Sequence, residues 1–148
     1  MRSVTIAIMA VSLTLGSGLA FAVPPAQPTP AMLTFLDNHA GAKVSFSKYG
    51  IGAVFGVPLA SRGGEATTRA FVENFLITQG NVNILGARGV DGADLVYDNQ
   101  LVISNGKFTV FTYTQKVTEE TNLPLHGGFI KVLVLMGATE KIVFIGAG

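Results

Sequence analysis

The sequence predicts an α+β domain in which an antiparallel β-sheet meander carries one principal α-helix packed on it. Three observations lead there. Arg69 to Leu76, RAFVENFL, sets apolar residues at three- and four-residue spacing, as one face of a helix requires. Leu95 to Val117 alternates apolar and polar residues around Asn105-Gly106, the pair favoured in two-residue hairpin turns because both central positions need positive φ. Phe129 to Met136, FIKVLVLM, and Lys141 to Ile145, KIVFI, are apolar on both faces, as strands in the middle of a sheet are.

The chain opens with Arg2, an apolar run from Val4 to Leu15, and small residues Ala20 and Ala22 before Val23. That order predicts a secretory signal peptide over 1–22 and a mature protein that is secreted or periplasmic. The apolar run is shorter than the roughly 20 residues a membrane-crossing helix needs, so no membrane partner is expected after cleavage. Residues 23–31 hold Pro24, Pro25, Pro28 and Pro30 and predict an extended Pro-rich linker. A single domain then occupies 32–148.

Within it, Leu33, Phe35 and Leu36 predict a short helix ending near Gly41. Val44 and Phe46 alternate with Ser45 and Ser47, and Ala53 to Val57 forms a second apolar run; together they predict a hairpin turning on Gly50 or Gly52. The principal helix follows. Ser61 or Gly64 is its expected cap, Glu65 sits in its first turn, and Ala70, Phe71, Val72, Phe75 and Leu76 share its buried stripe. Arg69 and Glu73 form an outward i,i+4 pair. Gly86, Gly89 and Gly92 lack the spacing of a dinucleotide loop, and Asp91 and Asp94 read as solvated turn carboxylates rather than calcium ligands. In the following hairpin Thr109, Phe111, Tyr113 and Gln115 share one face, and Phe108, Val110, Thr112 and Thr114 the other. Gly137-Ala138-Thr139 supplies the last turn.

Composition narrows the function. The 148 residues include 49% hydrophobic and 13% charged, which suits one domain with a real core. Ten Lys and Arg face nine Asp and Glu, scattered along the chain, so no basic stripe exists to neutralise phosphates and nucleic acid is not an expected partner. Cysteine is absent, which removes disulfides, thiolate metal sites and a thiol nucleophile. The two histidines, His39 and His126, stand far from any H-E-x-x-H pattern, and no G-x-S-x-G elbow follows the signal segment. Spacing leaves only a paired-carboxylate site open. The expectation is a non-enzyme with no catalytic residues, metal or cofactor.

The later strands have a particular order: YTQ at Tyr113 to Gln115, then LPLHGG at Leu123 to Gly128, a long apolar strand, a Gly turn, and a closing strand reaching Gly146. This order resembles the FTP domain, the fungalysin/thermolysin-type propeptide module. AFVENF followed by NILG resembles the helix and turn that precede those strands, and VFGVPL at Val54 to Leu59 resembles the segment before that helix. The likeness spans about Val54 to Gly148. KVTEETN after Gln115 is longer than the family's usual connection, and Leu125 replaces its usual Val.

The resemblance implies a cystatin- or PepSY-like α+β domain that inhibits, or assists the folding of, a secreted zinc metallopeptidase of the thermolysin or fungalysin type. By that analogy Gln115, Leu123, Pro124, Leu125, Gly127 and Gly128 are the partner-contact residues. The family's catalytic domain is expected to be absent here, leaving a module that acts in trans or a remnant of a truncated precursor. Two other readings remain open at this level. One is an envelope adhesion or assembly module that pairs through a strand edge. The other is a small secreted enzyme or lipid carrier with an interior pocket.

Overall fold

The computed structural model describes residues 30–47, 50–78, 95–116 and 124–147. The stretch expected as a signal peptide, most of that expected as a linker, residues 86–92 with their spaced glycines, and Leu123 lie outside the described residues. The elements are α1 (Pro30–Asn38), β1 (Lys43–Ser47), β2 (Gly50–Ser61), α2 (Thr68–Phe75), β3 (Leu95–Ile103), β4 (Phe108–Lys116), β5 (Pro124–Leu135) and β6 (Lys141–Ala147). They make one six-stranded sheet in the order β1-β2-β6-β5-β4-β3. Every neighbouring pair is antiparallel. The α+β class and the antiparallel meander from β3 to β6 match the sequence reading, and the doubly apolar β5 and β6 occupy the middle.

Both expected helices are present, but at nine and eight residues they are equally short, so neither is the principal one. The first, α1, begins at Pro30, inside the stretch read as linker, because a proline with fixed φ and no N–H suits a helix's first position. Met32 and Phe35 are its buried residues, while Leu33 is half exposed. The cap of α2 is Thr67 rather than Ser61 or Gly64: its backbone is extended, at φ −134° and ψ 158°, and its hydroxyl accepts the Ala70 N–H at 3.0 Å. Two guanidinium nitrogens of Arg62 donate to the Glu65 carbonyl, at 3.0 and 2.7 Å, and tie the segment before Thr67 into a loop. Ser61 closes β2, and Glu65 lies ahead of the helix it was expected to begin. The stripe itself is as expected, with Phe71, Val72, Phe75 and Leu76 buried and Arg69 Nε donating to Glu73 at 2.7 Å.

Both helices place their buried side chains in one core with the inward row Val54, Ile145, Val132 and Phe111, which lie opposite one another across β2, β6, β5 and β4. Burying a large aliphatic or aromatic side chain contributes about 1.5–3 kcal/mol, so this single-layered core is the main source of stability. Irregularities adjust which residues reach it. Between the pairs Phe55–Phe144 and Ala60–Ile142, residues 56–59 of β2 face Val143 alone. Val143 is also the extra residue against β5, which lets Ile142 and Ile145 both turn inward. Pro58 lacks a ladder donor and falls within this irregular stretch, where one is not required.

Gly56 sits there at φ +102°, with an added Cβ only 3.4 Å from the Gly41 carbonyl oxygen. Gly56→Ala is therefore expected to cost more than about 1 kcal/mol, read as a lower urea midpoint. An unchanged midpoint would mean the backbone there relaxes freely.

Two turns differ in detail. Gly50 and Gly52 lie within β2 rather than in the turn: Gly50 pairs with Ser47, and Gly52 is the extra residue between the pairs Ser45–Ala53 and Phe46–Ile51. Asn105 and Gly106 have the expected positive φ, 55° and 84°, and Lys107 N–H donates to the Ser104 carbonyl at 3.1 Å. The ladder, however, stops at Ile103 and Phe108, since Ser104 is also left-handed at φ 52°. The connection is thus four residues long instead of two.

Candidate functional site

Three places concentrate unusual side chains. The first is polar. Arg62 Nη1 donates to Glu140 Oε2 at 2.9 Å, Thr68 Oγ1 donates to Glu140 Oε1 at 2.9 Å, and Arg62 N–H reaches the Glu140 carbonyl at 2.9 Å. The Glu65 carboxylate accepts from Gly63 N–H at 2.9 Å and Asn74 Nδ2 at 3.2 Å, and hydrogen bonds from backbone N–H groups, its own first, hold it below its ordinary pKa. These groups already satisfy one another, so the cluster joins the β5–β6 turn to the start of α2 and leaves no free chemistry. Glu140→Ala removes the partner of Arg62 Nη1 and of Thr68 Oγ1 and is expected to cost about 2 kcal/mol by chemical denaturation; a loss below a few tenths would show solvent replaces the carboxylate.

His39 is similarly occupied. Its ring stacks on Phe35 with centroids 4.0 Å apart, and its two nitrogens lie 2.8 Å from the Phe35 carbonyl oxygen and 2.9 Å from that of Leu59. It ties α1 to β2. Among the described residues no three His, Asp or Glu side chains gather as a metal site would need.

The second place is the corner where β4 meets β5. Gln115 is half-buried on the inward face with Tyr113, opposite Leu95. Between the pairs Thr114–Phe129 and Lys116–Pro124, residues 125–128 of β5 face Gln115 alone, so the Gly127-Gly128 stretch falls at an irregularity. The structure thus brings Gln115, Pro124, Leu125, Gly127 and Gly128 together at one end of the sheet. Nearby, Tyr113 is 2% exposed and its Oη is buried without a hydrogen-bond partner. Burial, and secondarily the Glu73 carboxylate, push this phenol well above its ordinary pKa, so it stays neutral. Tyr97 meets it edge-on at 5.9 Å, and the Arg69 guanidinium lies 3.9 Å over the Tyr97 ring.

The third place went unnoticed in the sequence. Phe55, Phe144, Leu133, Val110 and Leu101 lie opposite one another on five successive strands. Each is the chain neighbour of an inward residue or its register partner, and none belongs to the core cluster, so they form a row on the sheet's other face. Leu101 is 61% and Phe55 37% exposed. The next row, Lys141, Leu135, Phe108 and Ile103, and Phe129 two positions beyond Lys131, enlarge it. The Phe144 ring covers Gly146, where an added Cβ would come within 2.6 Å of it. Lys43, Lys131 and Lys141 punctuate this surface, and no acid stands in these rows. Both described helices bury their apolar residues on the opposite face.

The signal for this surface lies in FIKVLVLM and KIVFI, whose apolarity on both faces marks central strands. It equally marks a sheet with an apolar outer face. Fold and surface together define a two-layer α+β domain with an apolar, lysine-studded sheet face. The chain matches no family model, no curated protein and no solved structure.

Proposed function

We propose that the chain is a secreted, non-catalytic propeptide-like module that binds a thermolysin- or fungalysin-type zinc metallopeptidase as inhibitor or folding helper. The observation that carries this reading is the apolar outer sheet face. Contiguous exposed apolar surface of this kind marks protein contact in soluble domains, and lysines without acids favour a partner with carboxylates at its rim. The face also runs into the predicted contact corner, because Phe129 directly follows Gly128. The likeness of Val54 to Gly148 to the propeptide module supplies the class of partner, and the signal-like N-terminus supplies the compartment.

Strand-edge pairing draws less support. Of the two edge strands, β1 is only five residues long, and β3 carries an irregularity at Asp98, between the pairs Tyr97–Tyr113 and Asn99–Thr112, and a polar Asp-Asn-Gln run, all of which discourage an added strand. The test is to refold a thermolysin-like peptidase with and without the purified chain and to follow casein cleavage. Micromolar chain is expected to slow cleavage or raise the refolded yield. Identical yield and rate would refute the reading.

A further inference from the structure

At the end of the sheet where β3 and β5 finish and β4 and β6 begin, every connection lies within the described residues: 104–107 between β3 and β4, 136–140 between β5 and β6, and 62–67 between β2 and α2. Along the first two of these connections runs a groove of about 420 Å³, inside the roughly 300–1,000 Å³ of small-ligand sites. Leu135 and Met136 give it an apolar lining, and Lys107, Lys141 and Thr139 bring polar groups to it.

The ladder fixes where the two lysines stand. Lys141 opens β6 opposite Leu135, and Leu135 is opposite Phe108, the residue after Lys107. Met136 N–H donates to the Lys107 carbonyl at 2.9 Å, which ties one turn to the other. Because β5 lies between β4 and β6, the two lysine backbones are about two strand spacings apart, roughly 10 Å. Both side chains serve the outer face: Lys141 shares its row with Leu135 and Phe108, and the Lys107 ammonium lies 5.6 Å from the Phe108 ring centroid. Among the described residues the ion pairs join Arg62 to Glu140 and Arg69 to Glu73, so neither ammonium has a carboxylate partner. Glu140, the acid of this turn, is engaged by Arg62 and Thr68. Two like charges therefore flank an aliphatic residue with nothing described to neutralise them. Beyond Leu135 the outer face stays apolar through Leu133 and its partners Phe144 and Val110.

We infer that this groove binds an amphiphilic anion, a carboxylate on an aliphatic chain, with the carboxylate between the Lys107 and Lys141 ammonium groups and the chain over Leu135 and Met136 toward Leu133 and Phe144. A small hydrophilic anion meets the charges but leaves the apolar lining in water. A neutral chain covers the lining but leaves the two ammonium groups unneutralised. The site goes beyond peptidase binding and stands whether or not the chain binds a peptidase.

The test titrates octanoate, octan-1-ol and acetate into the full chain and into its Lys107→Gln, Lys141→Gln double variant. Binding is read from the NMR shifts of the Leu133, Leu135 and Met136 methyl groups. Octanoate is expected to move those methyls with a Kd on the order of 1 mM, as ligands of this size do. Its preference over octan-1-ol is expected to be about fivefold, the scale that two solvent-exposed ion pairs supply, and to vanish both in the double variant and in about 1 M salt. A preference that survives in the double variant would overturn the role of the lysines, and equal shifts from acetate would overturn that of the apolar lining. Shifts centred on other residues would overturn the site. Acetyl-leucyl-leucine presents the same chemistry at a peptide C-terminus; tighter binding of it than of octanoate would overturn the assignment to a free aliphatic acid. Neither lysine side chain is buried, so the double variant should keep the parent's circular dichroism spectrum and melting temperature, which checks that the fold is retained.

Discussion

Phe111→Ala is expected to lower the unfolding free energy by about 3–5 kcal/mol, the range for emptying a buried aromatic site. Phe111 is 1% exposed, in the centre of β4 and on the row shared with Val54, Ile145 and Val132. A small domain of this kind has about 5–15 kcal/mol in total, so the variant should unfold at a much lower urea concentration and fold only partly at 37 °C. Its chain neighbour Val110 lies on the outer face and is only half-buried. Val110→Ala should cost well under half as much. Urea titrations of both variants measure the contrast, and equal losses would contradict the two-faced sheet.

The second large effect concerns binding. Phe55 and Leu101 stand at the two ends of the outer apolar row, and both are exposed. The double variant Phe55→Glu, Leu101→Glu puts carboxylates into a face that has only lysines, and removes two apolar anchors without emptying the core. Central contact residues are commonly worth about 2 kcal/mol or more each, so under the proposed reading any inhibition of a thermolysin-like peptidase should weaken at least about thirtyfold. The circular dichroism spectrum and melting temperature should stay close to the parent's. Unaltered inhibition by a folded double variant would move the contact away from this face. Lys131→Glu offers a milder check, since it reverses a rim charge and should raise the salt sensitivity of association in the opposite sense.

The helix stripe of Phe71, Val72, Phe75 and Leu76, the two faces of β4 and the central place of β5 and β6 were all legible, because each depends on a local period. Details that depend on another part of the chain were not. Thr67 is the cap because Arg62, held in turn by Glu140, fixes the residues before it; nothing in Ser61 to Thr68 alone announces that. The outer row was hidden for a related reason. Gly52, residues 56–59, Asp98 and Val143 each break the alternation of a strand, so faces assigned within one strand cannot be carried to the next by counting. Gly56 and Pro58 inside an apolar run were the visible hint, as such residues in a strand mark bulges. The alternation of β4 places Tyr113 only on a face with Thr109, Phe111 and Gln115; that its hydroxyl is buried without a partner emerges only from the tertiary packing.

The position of β6 has a bearing on the order in which the chain can fold. Within the sheet β1 and β2 form one block and β3, β4 and β5 another, and these blocks are hydrogen-bonded to each other solely through β6. Until Lys141 to Ala147 are inserted, the blocks are a hairpin and a three-stranded meander, each with one face apolar and neither bearing the complete Val54–Ile145–Val132–Phe111 row. Closure of that row joins residues about ninety positions apart, a costly long-range step of the kind that slows folding. Closing the full core row therefore waits on the seven-residue β6, and its insertion is the step of folding that topology makes slowest.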